Sequence, residues 1–349
     1  MLPGNIPQTA AAFGFVLALS GVGVLSHLRT DHSFAAADLR SGAWQAGYED
    51  AFEAANPLEG FAITALGTLR YALFRQGSDG VLVGHAGWLF TAEEFETAPG
   101  FAARIETSAE YVTQVVGDMA AQGIAVLPVL VPDKSDLYPQ HLRHKRPKEL
   151  LHRRDRFYGA LEARGVSALD ASPALLQAAQ TGPVFMRTDT HWSPHGSRSV
   201  AEAAAQHALA AGLFAPGTTE VETTSLGAQP FVGDLIRFVP TGALRPVFGP
   251  PPETLVQYVT TVESSLGLFD AADVPVVLVG TSFSARSEFH FEGFLKQALR
   301  SDVINYAREG TGPFAPMEQF LASDTLKNSP PQLVIWEIPL RYVSKDLLP

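Results

Sequence analysis

The sequence predicts an α/β fold in which helices cover both faces of a parallel sheet. Helix-like and strand-like segments alternate from about residue 105 onward. The strand-like segments are unbroken apolar runs, which is typical of strands that are buried on both faces. With 349 residues, of which 46% are hydrophobic and 17% charged, the chain can form one large domain with a smaller attachment.

The N-terminal segment, residues 1–30, predicts a membrane anchor or an export signal. No charged residue precedes Arg29, and the run from Ala10 to Leu25 is almost entirely apolar. A run of about 16 residues is at the short end for a membrane-spanning helix, so a buried core helix is the alternative. Residues 34–38 (FAAAD) resemble a cleavage site, but no basic stretch precedes the apolar run. We therefore expect an uncleaved membrane anchor, with the rest of the chain outside the cytoplasm.

The segments beyond the N-terminal region follow helix and strand patterns in turn. A connecting region is expected at 31–77. Helices are predicted for residues 107–123, 148–163 and 194–212, and strands for residues 124–131, 166–169, 276–279 and 333–336. Ser193 is a good N-cap for the third of these helices, and Pro194 suits its first position. Residues 213–270 break the alternation with Pro, Gly and Thr, and predict an inserted region of loops and short strands.

The overall composition excludes several classes of function. The formal net charge is −11, and a strongly acidic protein does not offer the basic surface that nucleic-acid phosphates require. The chain has no cysteine, so disulfides, thiolate metal sites and cysteine nucleophiles are all excluded.

A candidate nucleophile follows the clearest predicted strand. Residues 280–284 read Gly-Thr-Ser-Phe-Ser, directly after the apolar run at 276–279. Sites in parallel α/β folds collect at the C-terminal ends of strands, so Ser282 is well placed to attack a substrate. Backbone N–H groups of such a turn can stabilise an oxyanion. The alternative is a serine that only caps the following helix.

A candidate acid–base pair lies in the sequence TDTHW, residues 188–192. A serine nucleophile needs a base to accept its proton and an acid to orient that base, and Asp189 and His191 can supply both. A metal site formed by Asp189, His191 and His195, or a merely structural turn, are the other interpretations. No further cluster of ligands at metal-binding spacing accompanies them, and His195 falls in the first turn of the predicted helix, so we expect no metal.

The two motifs together resemble those of the alginate O-acetyltransferases, periplasmic SGNH-hydrolase-like enzymes that acetylate exopolysaccharides. Further pieces match in the same order, namely GWLF (87–90), VPDKSDLYPQHL (131–142), GDL (233–235), FEGFLKQAL (291–299) and WEIPLR (336–341). The resemblance covers about residues 78–345. It implies an SGNH-hydrolase-like domain at 78–349 with the inserted region at about 213–270. No C-terminal carbohydrate-binding domain is evident.

The resemblance also implies a catalytic triad of Ser282, His191 and Asp189. In this family the serine follows the acid–base pair, the reverse of the usual SGNH order, and the chain shares this circularly permuted motif order. Several other residues are candidates for substrate binding because they lie next to a motif or just after a predicted strand: Lys134, Tyr138, Trp192, Ser284, Arg286 and Arg341. Residues 141–156 contain seven of the 25 Lys and Arg residues, and form either a solvated helix face or a basic strip for an anionic polysaccharide or lipid headgroups.

We therefore expect an O-acetyltransferase that passes acetyl groups through Ser282 to an exported polysaccharide. An acetyl esterase with the same triad, and a non-catalytic polysaccharide-binding component of an export complex, are the alternatives. Acetyl-CoA is not available outside the cytoplasm, so the resemblance implies a membrane-bound acyltransferase as donor partner, together with other export-complex proteins. No cofactor is expected. The expected location is the periplasm, with attachment to the inner membrane through the N-terminal segment.

Overall fold

The computed structural model describes residues 6–30, 42–56, 59–97, 99–263 and 275–348. The chain divides into two units, one made of residues 1–76 and 239–249 and the other of residues 77–238 and 250–349. The suggested cleavage site at 34–38 lies outside the described residues, as do residues 264–270 of the expected insertion.

The smaller unit contains helices. They are α1 (Ile6–Arg29), α2 (Ala43–Ala54) and α3 (Glu59–Phe74), with the short helix α9 (Arg245–Phe248) contributed from later in the chain. Among the described residues, no helix combines the length and the apolar character needed to cross a membrane. The anchor or signal role of the N-terminal segment stays a prediction.

The larger unit contains all the described strands and the remaining helices. Its strands are β1 (Val81–Val83), β2 (Leu89–Thr91), β3 (Ala125–Val131), β4 (Leu169–Asp170), β5 (Glu220–Phe231), β6 (Glu253–Glu263), β7 (Val276–Val279), β8 (Val303–Asn305) and β9 (Leu333–Pro339). Its helices are α4 (Phe101–Ala120), α5 (Lys134–Leu137), α6 (Arg153–Ala163), α7 (Ser172–Ala178), α8 (Pro194–Ala210), α10 (Ser282–Ala285), α11 (Phe291–Leu299), α12 (Phe314–Leu321) and α13 (Asp324–Asn328). Short 3₁₀ helices include Ala92–Phe95, Lys148–His152 and Asp234–Phe238.

The central sheet is parallel throughout, with strand order β4-β3-β9-β7-β8. Alternate residues of each strand point to opposite faces, and residues on both faces of β3, β7 and β9 are buried. On one face, Leu127 and Leu278 pack in a core with α8 and α11, and on the other, Val126 and Val277 pack in a core with α4, α6 and α12. The sequence prediction of a parallel sheet covered on both faces is confirmed.

The inserted region forms a long antiparallel hairpin. Strands β5 and β6 pair along their whole length, with an irregularity between Ser225 and Gly227. Strand β5 is mostly exposed, so its sequence lacks the apolar runs of the central sheet. Strand β6 begins at Glu253, close to the segment that carries the acid–base pair, as described below.

Several predicted element boundaries were wrong, among them that of the strand expected at 166–169, which is Leu169–Asp170. Helix α4 begins at Phe101, not at Thr107, whose hydroxyl donates a hydrogen bond to the carbonyl of Ala103 in the preceding turn (3.0 Å). A threonine can make this bond inside a helix as well as cap one, so its presence does not fix a start. Residues 148–163 form a 3₁₀ turn followed by α6, and Arg153, the first residue of α6, is buried and binds Asp133.

Candidate active site

Ser282 lies on the turn between β7 and α10, at the C-terminal edge of the parallel sheet. Thr281 caps α10 by accepting a hydrogen bond from the N–H of Phe283 (3.3 Å). The N–H of Thr281 in turn donates to Oε2 of Glu337 on the neighbouring strand β9 (2.7 Å). A Cβ on Gly280 would lie 2.5 Å from the same oxygen, so glycine is required for this close approach. The carboxylate of Glu337 therefore holds in place the turn that carries Ser282, which is called the nucleophile turn below.

Asp189, His191 and Ser282 form a continuous hydrogen-bonded chain. Nδ1 of His191 lies 2.6 Å from Oδ1 of Asp189, and Nε2 of His191 lies 2.7 Å from Oγ of Ser282. An ionised carboxylate can only accept, so the Nδ1 proton is assigned to the bond with Asp189. The lone pair of Nε2 then faces the hydroxyl of Ser282. This is the arrangement required to take the proton from a serine as it attacks.

Asp189 is fully buried yet held in its charged form. Burial alone would raise its pKa, but hydrogen bonds from the ring of His191 and from the N–H groups of His191 and Asp234 outweigh burial and bring the pKa down to about 2. The carboxylate therefore stays negative over the whole range in which a histidine base works. It can balance the positive charge that His191 acquires during the reaction.

The backbone around the acid–base pair is held by charged side chains from three directions. The ammonium of Lys134 donates to the carbonyls of Arg187 (3.0 Å) and Asp189 (2.9 Å). The carboxylate of Glu253, at the start of β6, accepts from the N–H of Arg187 (2.9 Å). Asp234 accepts from the N–H of Thr190 (2.8 Å). Residues 187–191, called the acid–base loop below, are thus fixed without belonging to a helix or strand.

Aromatic rings enclose the imidazole of His191. Phe289 stacks on it with ring centroids 5.1 Å apart, and Phe283 meets it edge-on at 4.8 Å. Trp192 lies behind Phe283, and its indole N–H donates to the carbonyl of Phe283 (3.1 Å). These contacts limit the ring of His191 to the orientation that faces Ser282.

A cleft of about 550 Å³ opens above the serine. Ser282, His191, Thr190 and Asp234 line it, and its other lining residues include six charged ones, namely Glu93, Glu96, Arg237, Arg286, Glu309 and Arg341. The cleft is therefore polar and of mixed charge, which suits a hydroxyl-rich ligand better than an apolar one.

Four of the six predicted substrate-binding residues are buried and make structural contacts, and their substrate-binding role stays a prediction. Lys134, Tyr138, Trp192 and Ser284 do not line the cleft. Lys134 supports the acid–base loop, and burial lowers its pKa to about 8. The hydroxyl of Tyr138 accepts from the N–H of Val184 (2.9 Å), and Ser284 donates to Glu337 (3.1 Å).

The other two predicted residues do line the cleft. Arg286 binds Glu288, and its Nη1 lies 3.7 Å from Oδ2 of Asp189. Arg341 is almost fully buried but reaches the cleft wall, where it binds Glu93 (3.3 Å). Both guanidinium groups already have acidic partners, so any contact with a ligand would be added to these pairs.

The basic strip at 141–156 is divided between interior and surface. Arg146 and Arg153 are buried and bind the same carboxylate, that of Asp133, at the C-terminal end of β3. Its exposed cations are Arg143, Lys145, Lys148, Arg154 and Arg156. Two of its arginines thus stabilise the fold.

Asp234 and Glu337 were missed as functional candidates by sequence reasoning. Both lie in short pieces of the family resemblance, GDL and WEIPLR, in which only Arg341 was given a role. The sequence does contain a hint of each. Asp234 directly follows a glycine, Gly233, and Glu337 is an acidic residue inside an otherwise apolar strand. Only the folded chain shows that each carboxylate accepts hydrogen bonds from a catalytic segment.

His195 does not join Asp189 and His191 in the metal site that was the alternative interpretation of these residues. His195 bonds to the carbonyl of Ala178 (2.9 Å) and to Thr181, away from the pair. Asp189, His191 and Asp234 do lie close enough to share an ion. However, both ring nitrogens of His191 are engaged, one by Asp189 and one by Ser282, so a metal would have to displace the acid–base chain.

Comparison with known proteins gives consistent results. Residues 81–340 match the family described as SGNH hydrolase-like domain, acetyltransferase AlgX. The chain is similar to a probable alginate O-acetylase AlgJ of Azotobacter vinelandii, with 33% identity over 97% of this chain and 89% of that one. It is also similar to the probable alginate O-acetylase AlgJ of Pseudomonas fluorescens, with 37% identity over 94% of this chain and 85% of that one.

Solved structures agree with the sequence relatives. The O-acetyltransferase domain of Pseudomonas putida AlgJ is 33% identical, with a TM-score of 0.70 over 76% of this chain and 93% of that one. The structure of Pseudomonas aeruginosa AlgX, 20% identical with a TM-score of 0.56 over 76% of this chain and 63% of that one, shows similarity of fold alone.

Proposed function

This chain belongs to the SGNH hydrolase-like acetyltransferase family of AlgX, and from that premise we propose that it O-acetylates alginate through an acetyl-serine intermediate. The observation that carries the proposal is the hydrogen-bonded chain Asp189–His191–Ser282 on the floor of an open polar cleft. The relatives' name, alginate O-acetylase, supports both the reaction and the acceptor.

The reaction has two steps that use the same residues. In the first step, Oγ of Ser282 attacks the acetyl carbonyl of the donor while Nε2 of His191 takes its proton and then delivers it to the leaving group. In the second step, a sugar hydroxyl loses its proton to His191, its oxygen attacks the acetyl carbon, and Oγ of Ser282 leaves and regains the proton. Asp189 stays ionised and balances the charge on His191 in both steps.

The oxyanion formed in each step is stabilised by backbone N–H groups near the nucleophile. Ser282 is the first residue of α10, so its N–H has no acceptor one turn earlier in the helix. A donor left free at this position can bind the oxygen on which negative charge develops.

An anionic acceptor is supported by Arg237 in the cleft wall. Its guanidinium lies 4.7 Å from the ring centroid of Phe238 and, within the described ranges, forms no ion pair. It can therefore meet a uronate carboxylate without first giving up an acidic partner.

The donor and the location follow from the same proposal. An acetyltransferase outside the cytoplasm has no acetyl-CoA, so a membrane-bound acyltransferase supplies the acetyl group. We place the chain in the periplasm, attached to the inner membrane by the segment 1–30, beside the other proteins of the export complex.

The test is an assay of a chromogenic acetyl ester with and without mannuronate oligosaccharides. We expect acetylated oligosaccharide and an acetyl group on Ser282, both detected by mass spectrometry, and neither in Ser282→Ala. Ser287→Ala, which changes an exposed serine in the same segment, is the matched control and should retain activity. Release of acetate at a rate that oligosaccharide does not affect would indicate an esterase, and activity in Ser282→Ala would refute the triad.

A further inference from the structure

Residues 233–235, called the clamp segment here, lie against the acid–base loop and exchange hydrogen bonds with it in both directions. The N–H of Asp234 donates to Oδ2 of Asp189 (2.7 Å), and the N–H of Leu235 donates to the carbonyl of Thr188 (3.2 Å). In return, Oδ1 of Asp234 accepts from the N–H (2.8 Å) and hydroxyl (3.2 Å) of Thr190. The clamp segment therefore holds the residues on both sides of Asp189.

We propose that Asp234 is a positioning residue, which fixes the orientation of Asp189 and His191 by binding the acid–base loop through both its backbone and its carboxylate. This inference rests on the proposed function of Ser282, His191 and Asp189. It assigns to Asp234 neither proton transfer nor nucleophilic attack.

The carboxylate of Asp189 needs a second partner because its terminal torsion is soft. Rotation of an aspartate carboxylate about χ2 has broad minima, so one hydrogen-bond partner leaves it free to swing. Oδ1 of Asp189 accepts from both the backbone N–H (2.9 Å) and the ring Nδ1 (2.6 Å) of His191. The N–H of Asp234 occupies the other oxygen and so fixes the plane of the carboxylate, and with it the imidazole.

The carboxylate of Asp234 fixes the loop backbone between the acid and the base. Thr190 is the residue that separates Asp189 from His191, and its N–H and hydroxyl both donate to Asp234. Oδ2 of Asp234 lies 3.9 Å from Nδ1 of His191, beyond hydrogen-bond distance. Asp234 therefore acts on the base through Thr190 and Asp189 and not by direct contact.

Gly233 allows the close approach on which the clamp depends. A Cβ at this position would overlap the carbonyl of Thr188 and lie 2.6 Å from the N–H nitrogen of Asp189. These are backbone atoms of the acid–base loop, so they cannot move aside as a flexible side chain would. Any side chain here must separate the clamp segment from the loop.

The experiment compares Asp234→Ala, Asp234→Asn and Gly233→Ala with the wild-type chain. For each, we would measure kcat and KM for an acetyl ester, the rate of Ser282 modification by phenylmethylsulfonyl fluoride, and the melting temperature. Loss of a hydrogen bond to a charged group predicts that Asp234→Ala lowers kcat and the modification rate by roughly 10- to 100-fold, with KM little changed. Asp234→Asn should recover most of the loss, because its amide oxygen can still accept from Thr190. Gly233→Ala should lower kcat to a similar extent.

The matched control is Asp118→Ala, an exposed aspartate on α4, which should leave all these quantities unchanged. A wild-type kcat in Asp234→Ala or Gly233→Ala would overturn the proposal. A rise in KM with unchanged kcat would also overturn it, since that would make Asp234 a substrate-binding group. If Asp234→Ala does not fold, the other two variants decide. Activity retained in Ser282→Ala would instead refute the proposed function, independently of Asp234.

Discussion

Glu337 provides the sharpest test of how the nucleophile turn is held. Its carboxyl is fully buried, and it accepts from the N–H of Thr281 (2.7 Å) and from the hydroxyls of Thr281 and Ser284. Burial raises its pKa to about 7 from the model-compound value of 4.5, although these hydrogen bonds and Arg341 oppose the rise. Since one pKa unit corresponds to about 1.4 kcal/mol, ionisation of this group costs the folded state about 3 kcal/mol.

The titration of Glu337 sets the direction in which the free energy of unfolding changes with pH. Between about pH 4.5 and 7 the folded chain holds a proton at Glu337 that the unfolded chain has released, so the free energy of unfolding falls as pH rises through this window. In Glu337→Gln the side chain does not ionise, so the free energy of unfolding of the variant does not fall for this reason. We therefore expect the stability of the variant relative to wild type to increase by about 2.5 kcal/mol between about pH 5 and pH 8, because a smaller part of the loss already occurs below pH 5.

The measurement is urea unfolding at these two pH values, followed by tryptophan fluorescence. Three of the four tryptophans, Trp88, Trp192 and Trp336, lie in the unit that contains Glu337, so the signal reports mainly on that unit. Glu202→Gln, at an exposed position on α8, is the control and should change stability by less than about 0.5 kcal/mol. A stability difference between Glu337→Gln and wild type that is the same at both pH values would show that this carboxyl does not titrate as argued.

Three further predictions concern the supports of the fold and site. In Gly280→Ala, the added Cβ would lie 2.5 Å from Oε2 of Glu337, so the turn must shift; kcat should fall by about 10-fold or more, and an unchanged kcat would contradict the close approach. Asp133→Ala leaves two buried arginines without this carboxylate and should destabilise by about 3–5 kcal/mol in urea unfolding, whereas a loss under about 1 kcal/mol would count against a buried pair. Ser193→Ala removes the cap of α8 on the N–H of Gly196 (3.1 Å) and should cost about 1 kcal/mol, visible as a lower melting temperature.

The sequence was sufficient for features that depend on local pattern. The apolar run 276–279 is strand β7, and the run at 124–131 contains β3, because a strand buried on both faces must be apolar at every position. The cap at Ser193 was equally clear, because serine followed by proline favours a helix start for stereochemical reasons. The spacing of Asp189 and His191 indicated a pair whose partner had to be found elsewhere.

The sequence could not predict the direction in which individual side chains point. Lys134 and Tyr138 follow a strand that ends at the site, and position alone suggested that both face the cleft. Lys134 turns inward because the carbonyls of Leu89, Arg187 and Asp189 converge on one point, and these come from distant parts of the chain. Such a convergence depends on tertiary structure, so no local sequence pattern predicts it.

The hairpin β5–β6 has a consequence for the transfer of this activity to other scaffolds. Asp234 follows β5 and Glu253 begins β6, so both lie at the end of the strand pair where the chain connects the two strands. Both carboxylates bind N–H groups of the acid–base loop. Grafting Asp189, His191 and Ser282 alone onto another parallel sheet would therefore reproduce the reacting groups without the frame that aligns them. An active graft would have to include the inserted region as well. The hairpin is therefore part of the smallest unit that can carry the activity.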